Sequence, residues 1–339
     1  MISSNNPDDR GVFSQEEADS LPSKAVDLAK LLRVIDLRFE IRFLGDVVLP
    51  SFLGSTLRGG LGRGLRALYC GCQKDKTAIS GAGVCPYHFI FETRVNDNAF
   101  KFLRDVPSVP HPYLIETPLD ERKDYKSGEC LSFSIRLFGD ATDYAFNLIE
   151  SMAYFGRQGV TSREVPFIIV KVLSADFGGE ETLLYDGDAK VYREMPVPFH
   201  WEPPSAVRDI IRLNFLTPAR LVKGRALRQD PDPELIFASI VRRIGPLLYY
   251  AEGISEAAIF ADGRLPVPST VSLSSVKLEW KEWRRFSNRQ SSHMLFGGVV
   301  GELTLNSVPP DFARILHFGS FIHIGKQTSF GLGRYEVSI

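Results

Sequence analysis

Apolar and polar residues alternate along much of residues 34–49 (VIDLRFEIRFLGDVVL), which is the two-residue period of a β-strand. The period then changes, because a series of leucines in residues 51–70 falls on one helical face and predicts a helix. Further apolar segments predict strands at 87–94, 131–140 and 166–177, and a helix at 144–159 that ends at a glycine. This half of the chain therefore has the order β-α-β-β-α-β.

A proline-rich stretch at 196–206 (PVPFHWEPPSA) predicts a linker, after which the same order recurs. Strands are predicted at 211–221, 276–287, 296–305 and the C-terminal end, and helices at 232–253 and 310–322. The repeated order predicts an α+β protein of two tandem ferredoxin-like (RRM-like) domains with antiparallel sheets. The predicted boundaries are an acidic flexible tail at 1–32, an N-terminal domain at 33–200 with a cysteine-containing insertion, and a C-terminal domain at 207–339.

The overall charge is close to neutral, but basic residues are concentrated locally. The 339 residues carry a net charge of −1, whereas residues 206–339 carry seventeen Lys or Arg against twelve Asp or Glu. Residues 51–70 hold three arginines and no acidic residue. Such a distribution is compatible with a specific phosphate-bearing ligand, although a solvated face explains it equally well.

Composition excludes several classes of protein. No apolar run is long enough to cross a membrane, and the polar N-terminal segment lacks the apolar region of a secretory signal. Four cysteines in a chain of this length do not predict a disulfide scaffold, so we expect a cytoplasmic protein. Two glycine-rich stretches fail as nucleotide-binding motifs: GGLGRG does not fit G-x-G-x-x-G, and GKQTSFG lacks Ser or Thr directly after Lys326. No nucleotide cofactor is expected.

Three cysteines and a histidine form the pattern C-x-C-x12-C-x-x-H, made by Cys70, Cys72, Cys85 and His88. Thiolates and an imidazole suit Zn²⁺, and four ligands complete a structural tetrahedron. The C-x-C spacing departs from the usual C-x2-4-C, so partly buried thiols beside a loop are the alternative interpretation.

The C-terminal region combines residues suited to chemistry on phosphate. His293 follows a segment rich in arginine, and His323 precedes Gly325 and Lys326. A base, a cation and closely approachable backbone amides are what a phosphate-centred reaction uses. No paired acidic motif for a catalytic divalent metal stands out, so cleavage of a phosphodiester is expected to use the 2′-hydroxyl of RNA.

Two C-terminal blocks, RRFSNRQSSHMLFGGVVGELTL (284–305) and FIHIGKQTSFGLGRYEV (321–337), resemble the CRISPR-associated RAMP-superfamily endoribonucleases that process precursor CRISPR RNA. STLRGGLGRGLRALYC followed by CPYHFIFE resembles the N-terminal signature of the same branch. The resemblance implies two ferredoxin-like domains, a glycine-rich loop that contacts RNA, and cleavage within each CRISPR repeat without a required metal or cofactor. The implied products carry a 2′,3′-cyclic phosphate and a 5′-hydroxyl, and subunits of a CRISPR effector complex are the other implied partners.

The resemblance also suggests site residues, with one departure. Many members place a catalytic histidine near the first helix, but residues 1–87 contain none. Either a histidine of the second domain reaches the phosphate, or an arginine-based site operates, or the protein binds without cutting. The proposed catalytic residues are His323, His293, Lys326 and Arg63. The proposed RNA-binding residues are Arg58, Arg66, Arg284, Arg285, Arg289, Gln290, Gly325, Thr328, Ser329, Gly331, Gly333 and Arg334.

Three functions remain open from the sequence. The first is a repeat-specific endoribonuclease, and the second is a non-catalytic repeat-RNA-binding subunit of an effector complex. The third is a zinc-stabilised protein-interaction module, which would leave the glycine-rich loop and the arginine segment unexplained.

Overall fold

The computed structural model describes residues 15–71, 79–80, 83–93, 109–120, 122–224, 226–260, 265–287 and 292–338. Residues 1–14 of the predicted tail, Cys72, Arg289 and Gln290 lie outside these ranges. Within the described part of the chain, no helix is both long and apolar enough to cross a membrane.

The first half of the chain builds a seven-stranded sheet and its helices. The helices are α1 (Gln15–Ala29), α2 (Leu53–Tyr69) and α3 (Ala145–Gln158), with a π-helix at Tyr87–Glu92 and a 3-10 helix at Gly139–Tyr144. The strands are β1 (Arg33–Phe43), β2 (Val47–Val48), β3 (Ile79–Ser80), β4 (Gly83–Val84), β5 (Tyr113–Glu116), β6 (Asp124–Tyr125), β7 (Cys130–Phe138), β8 (Phe167–Ala175), β9 (Glu181–Asp186), β10 (Val191–Tyr192) and β11 (Phe199–His200).

The second half builds a four-stranded sheet. Its helices are α4 (Pro233–Glu252) and α5 (Pro310–Ile322), with 3-10 helices at Ser255–Phe260 and Thr328–Phe330. The strands are β12 (Ile211–Ala219), β13 (Val222–Lys223), β14 (Ala226–Leu227), β15 (Ser272–Lys281), β16 (Arg284–Ser287), β17 (Ser292–Leu295), β18 (Gly298–Asn306) and β19 (Tyr335–Ser338).

Both sheets confirm the predicted ferredoxin-like topology. In the first unit the chain runs β1-α2-β5-β7-α3-β8 and the spatial order is β8-β1-β7-β5, extended by β9 and β10. In the second it runs β12-α4-β15-β18-α5-β19, with the order β15-β18-β12-β19. The strand pairs are antiparallel throughout the described residues. The protein is therefore an α+β protein with two tandem ferredoxin-like units.

Two elements differ from the sequence predictions. Residues 15–29 form α1 rather than a flexible tail, because Leu21, Ala25 and Leu28 are buried in the core of the second unit. The segment predicted as a strand at 87–94 contains the π-helix instead, and β5 supplies the missing strand of the first sheet. A short continuous apolar run does not distinguish a strand from a buried helix by periodicity.

The two units meet at a small aromatic cluster. Phe52, the residue before α2, lies 5.3 Å from the ring of Phe296 and 6.1 Å from that of Phe330. Leu332 is fully buried in the same cluster. Because Phe52 belongs to the first unit and the other residues to the second, burial of this cluster fixes the segment that follows α5 against α2.

Candidate nucleic-acid interface

The glycine-rich loop between α5 and β19 is held on both sides by backbone contacts. The amides of Lys326 and Gly333 donate to the carbonyls of Arg220 and Pro218, each at 3.1 Å. The amide of Arg334 donates to Thr217 Oγ1 at 2.9 Å. These bonds fix the loop to the end of β12, and the amides that make them are used within the protein rather than offered to a ligand.

The loop glycines are required by the protein's own packing. Gly325, Gly331 and Gly333 all have positive φ, at 83°, 88° and 70°. A Cβ on Gly333 would lie 1.8 Å from the Ile324 carbonyl oxygen, and one on Gly331 would lie 2.5 Å from that of Ile115 in β5. The sequence prediction that these glycines admit the RNA backbone is therefore revised, because they admit neighbouring protein backbone.

A cavity of about 390 Å³ lies beside this loop. It is called the cationic pocket here, because its described lining contains Arg220, Arg242, Arg243, Lys326 and His111 and no Asp or Glu. The buried side chains of Thr328 and Ser329 form part of its wall. His111 comes from the first unit, and the other six residues named here come from the second.

Arg243 is the most unusual residue of the cationic pocket. It is 5% exposed, and its Nε donates to the Ile322 carbonyl at 2.6 Å. Among the described residues its Nη2 has no hydrogen-bond partner and no carboxylate pairs with it. Burial lowers the pKa of Arg243 to about 9. An uncompensated charge is costly to bury, so this guanidinium is suited to an anionic ligand.

His111 lies at the junction of α2, the π-helix and the cationic pocket. Arg58 Nη2 lies 3.1 Å from His111 Nε2, and Thr93 Oγ1 contacts His111 Nδ1. A guanidinium only donates, so Nε2 accepts and the ring proton sits on Nδ1. Burial, and then the charges of Arg58 and Arg243, lower the pKa of His111 to about 3. The ring is therefore neutral near pH 7.

Arg58 is held by stacking as well as by His111. Its guanidinium lies 4.3 Å from the ring centroid of Phe91 and 4.5 Å from that of Phe330. Phe91 belongs to the π-helix and Phe330 to the glycine-rich loop. Arg58 was predicted to bind RNA, and the structure places it against the pocket-lining His111 with a defined orientation.

The structure corrects the predicted role of His323. This side chain is fully buried, with Nε2 3.1 Å from Glu116 Oε1 and Nδ1 3.3 Å from the Leu332 carbonyl oxygen. Burial lowers the pKa of His323, although Glu116 opposes the shift. An imidazole enclosed in this way supports the loop from inside and does not reach a bound phosphate.

The other predicted catalytic and RNA-binding residues are distributed over several places. Arg63 and Arg66 are exposed on α2 and stack over Phe155 and Tyr87, away from the cationic pocket. The structure therefore does not bring Arg63 together with Lys326 among the described lining residues of the cationic pocket. Arg284, Arg285 and His293 lie on the paired strands β16 and β17.

Arg334 lines a different cavity of about 400 Å³. There its Nη2 lies 3.5 Å from Glu116 Oε2. The charged lining of this second cavity is balanced between Arg38, Lys171, Arg334, Glu40, Glu116 and Glu181. The cationic pocket is therefore the better candidate for phosphate.

Three of the four predicted zinc ligands come together. The ligand atoms of Cys70, Cys85 and His88 all lie within 4.8 Å of one another. Cys72, the fourth, is outside the described residues.

Sequence reasoning missed His111 as a functional candidate. Its partners Arg58 and Thr93 are 53 and 18 residues away along the chain. No local spacing connects them, and only the prolines on either side of His111 mark the position.

Comparison with known proteins adds independent information. The AF_1859_N family model, described as an N-terminal domain, matches residues 32–207. The model of the CRISPR-associated endoribonuclease Cas6 matches residues 213–335. An uncharacterized protein of Archaeoglobus fulgidus is 26% identical over 296 residues, covering 85% of this chain and 92% of its own length.

Two solved structures are also similar to this chain. A partial Cas6-RT-Cas1–Cas2 complex is 12% identical and covers 91% of this chain and 46% of its own, with a TM-score of 0.52. A Cas6 product complex is 16% identical and covers 90% and 99%, with a TM-score of 0.49. With its family model matched over half of the chain, this chain belongs to the AF_1859_N family, and its second unit is similar to the CRISPR-associated endoribonuclease Cas6.

Proposed function

We propose that this protein cleaves CRISPR repeat RNA in the cationic pocket without a metal ion, leaving a 2′,3′-cyclic phosphate and a 5′-hydroxyl. The observation that carries the proposal is the buried Arg243 guanidinium, which lines a cavity with no carboxylate among its described lining residues. A phosphodiester supplies the negative charge that this site lacks. Magnesium prefers carboxylate oxygens, and the described lining of the pocket has no carboxylate. The arginines and the lysine of the pocket instead favour direct recognition of phosphate.

Phosphate binding uses two kinds of cation. Arg243 lies in the wall of the pocket, whereas Arg242 and Lys326 are exposed at its rim. The rim cations attract the RNA backbone and release counterions, and the buried cation fixes one phosphate. This arrangement predicts salt-dependent binding with a single deeply held phosphodiester.

His111 is the proposed base. In the free protein its Nε2 accepts a hydrogen bond from Arg58, so the lone pair is occupied. A bound phosphate competes for the Arg58 guanidinium, because a charged acceptor binds arginine more strongly than a neutral imidazole does. When the Arg58 guanidinium donates its hydrogen bond to the phosphate instead, His111 Nε2 is free to accept the proton of the 2′-hydroxyl.

The bond changes follow from this proton transfer. The 2′-oxygen forms a bond to phosphorus as its proton moves to His111 Nε2, and the bond from phosphorus to the 5′-oxygen breaks. The 5′-oxygen takes up a proton, for which Lys326 is the proposed donor. The cations around the pocket stabilise the charge that develops on the phosphate oxygens.

Cleavage of the source organism's repeat RNA in EDTA tests the proposal. Wild-type protein should cut once per repeat, and a 2′-deoxy substitution at the cut site should block the reaction. His111→Ala should reduce the rate by about 10²- to 10⁴-fold, which is the usual contribution of general base catalysis. Arg157→Ala, a change of an exposed arginine on α3, is the matched control and should cut at the wild-type rate. Cleavage by His111→Ala at the wild-type rate would refute the role of this residue.

Repeat-RNA binding without cleavage is the second candidate function, and one observation favours it. The pKa of His111, lowered to about 3, makes this imidazole a weak base while Arg58 stays in place. Tight binding of uncut repeat RNA by wild-type protein, together with weaker binding by Arg243→Met, would establish the binding function instead.

A further inference from the structure

The C-terminal end of α2 and the start of the π-helix are brought together by three side chains with metal-binding atoms. Cys70 is the C-cap of α2, Cys85 lies just before the π-helix, and His88 lies in its first turn. Their Sγ and imidazole nitrogen atoms lie within 4.8 Å of one another. Cys70 and Cys85 are partly buried and His88 is buried.

Local backbone geometry explains why Cys85 and His88 lie on the same side of their turn. The Phe89 amide donates to the Cys85 carbonyl at 2.9 Å, so the chain already turns at Cys85. The C-x-x-H spacing of Cys85 and His88 then places both side chains on the same face of that turn. Cys70 reaches them from α2, and Cys85 Sγ lies 3.8 Å from the Tyr69 carbonyl oxygen.

We propose that Cys70, Cys85 and His88 bind a structural zinc ion. Two thiolates and one imidazole select zinc over magnesium or calcium, which prefer oxygen ligands. In a tetrahedral zinc site with Zn–S bonds of about 2.3 Å, the ligand atoms lie about 3.8 Å from one another. Because the three ligand atoms all lie within 4.8 Å of one another, binding requires a closure of at most about 1 Å around the ion. These three side chains fill three positions of the tetrahedron.

A zinc ion at this site would have a structural role. The connection from α2 to the π-helix contains the hairpin formed by β3 and β4. Zinc would cross-link the two helices directly. The π-helix carries Phe91, which stacks on Arg58, and is followed by Thr93, which contacts His111. The zinc site would therefore fix one side of the Arg58–His111 pair while lying apart from the cationic pocket.

Metal content of the purified full-length protein is the first test. Protein prepared without chelators should contain about one zinc ion per chain, as expected for a single tetrahedral site. Cys70→Ser and Cys85→Ser should lose most of this zinc. Cys130→Ser is the matched control, because Cys130 is an exposed cysteine of β7, and it should retain the wild-type content. Equal loss in all three variants would overturn the proposal.

Cobalt substitution tests the ligand set without a mutation. Wild-type protein reconstituted with Co²⁺ should show thiolate-to-cobalt charge-transfer absorption and tetrahedral d–d bands. Zinc-free protein that gives no such spectrum with Co²⁺ would overturn the proposal. A disulfide between Cys70 and Cys85, detected by mass spectrometry of the non-reduced native protein, would also overturn it. The measurements involve no RNA, so their failure is distinguishable from failure of the proposed nuclease.

Discussion

Arg58 Nη2 lies 3.1 Å from His111 Nε2, so the arginine on α2 occupies the lone pair of the histidine that faces the cationic pocket. Each residue is positioned by another part of the chain: Arg58 by the rings of Phe91 and Phe330, and His111 by Thr93. Arg58 is a cation that can bind phosphate. If its guanidinium moves to a bound phosphate, His111 Nε2 becomes free to accept a proton.

Removal of the Arg58 charge should raise the pKa of His111. Burial is the largest cause of the low value of about 3, and the charge of Arg58 is the next. In Arg58→Met the pKa should therefore rise but remain below the ordinary value of 6.5, because burial persists. An NMR titration of the His111 ring protons measures the change. Arg157→Ala, a change of an exposed arginine on α3, is the control and should leave the His111 titration unchanged. An unchanged His111 titration in Arg58→Met would contradict the coupling.

The protein should lose stability as the pH falls from 6.5. The folded state lowers the pKa of His111 to about 3 and also lowers that of His323, so both rings bind protons more readily when unfolded. Their contribution is complete above pH 6.5 and is lost progressively as the pH falls toward 3. Burial raises the pKa of Glu116, but Arg136, His323 and Arg334 together lower it. Its contribution is lost below its ordinary value of 4.5.

Thermal unfolding between pH 7 and pH 4 measures this dependence. His111→Asn removes one of the titrating groups, so its Tm should fall less steeply with decreasing pH than that of the wild type. Parallel curves for the two proteins would show that His111 does not titrate differently in the folded and unfolded states.

Gly333→Ala should destabilise the fold far more than Gly128→Ala. Both glycines have positive φ, at 70° and 88°, so each substitution has a backbone cost of about 1–2 kcal/mol. An added Cβ at Gly128 meets no atom within 4 Å, whereas one at Gly333 would lie 1.8 Å from the Ile324 carbonyl oxygen. Urea unfolding of the two variants isolates the steric contribution. Equal losses in the free energy of unfolding would contradict the close packing of the loop.

Arg243→Met should weaken RNA binding without lowering the stability of the free protein. The substitution removes a buried cation that no described carboxylate neutralises, and methionine retains much of the apolar stem. The Tm should remain at or above that of the wild type. The slope of log Kd against log salt should decrease by about one, as for the loss of one phosphate contact. A lower Tm with unchanged RNA affinity would assign Arg243 a purely structural role.

Periodicity predicted the strands and helices of the second sheet, and those of the first sheet except for β5. Helix α5 has the predicted bounds, and α4 begins at Pro233, within the predicted range, with Asp232 as its N-cap. These features depend on neighbouring residues, which a sequence displays directly. The π-helix was missed because its apolar run has no clear period, and α1 was missed because its partners lie in the second unit.

The candidate site was much less predictable than the fold. Lys326 and Arg58 were identified from local composition, and both are associated with the cationic pocket. His323 and Arg63 were selected because their neighbours were suggestive, but burial excludes the first and helix orientation excludes the second. The contact of His111 with Arg58 depends on how β5, α2 and the π-helix pack together. The spacing of residues along the sequence therefore does not predict it.

Both halves of the chain line the cationic pocket, the first with His111 and the second with Arg243 and Lys326. Each ferredoxin-like unit has its own sheet, yet the candidate site lies at the interface between the two units. Two halves expressed as separate chains would recover the pocket only by docking with each other, and the second half would also lack α1, which packs into its core.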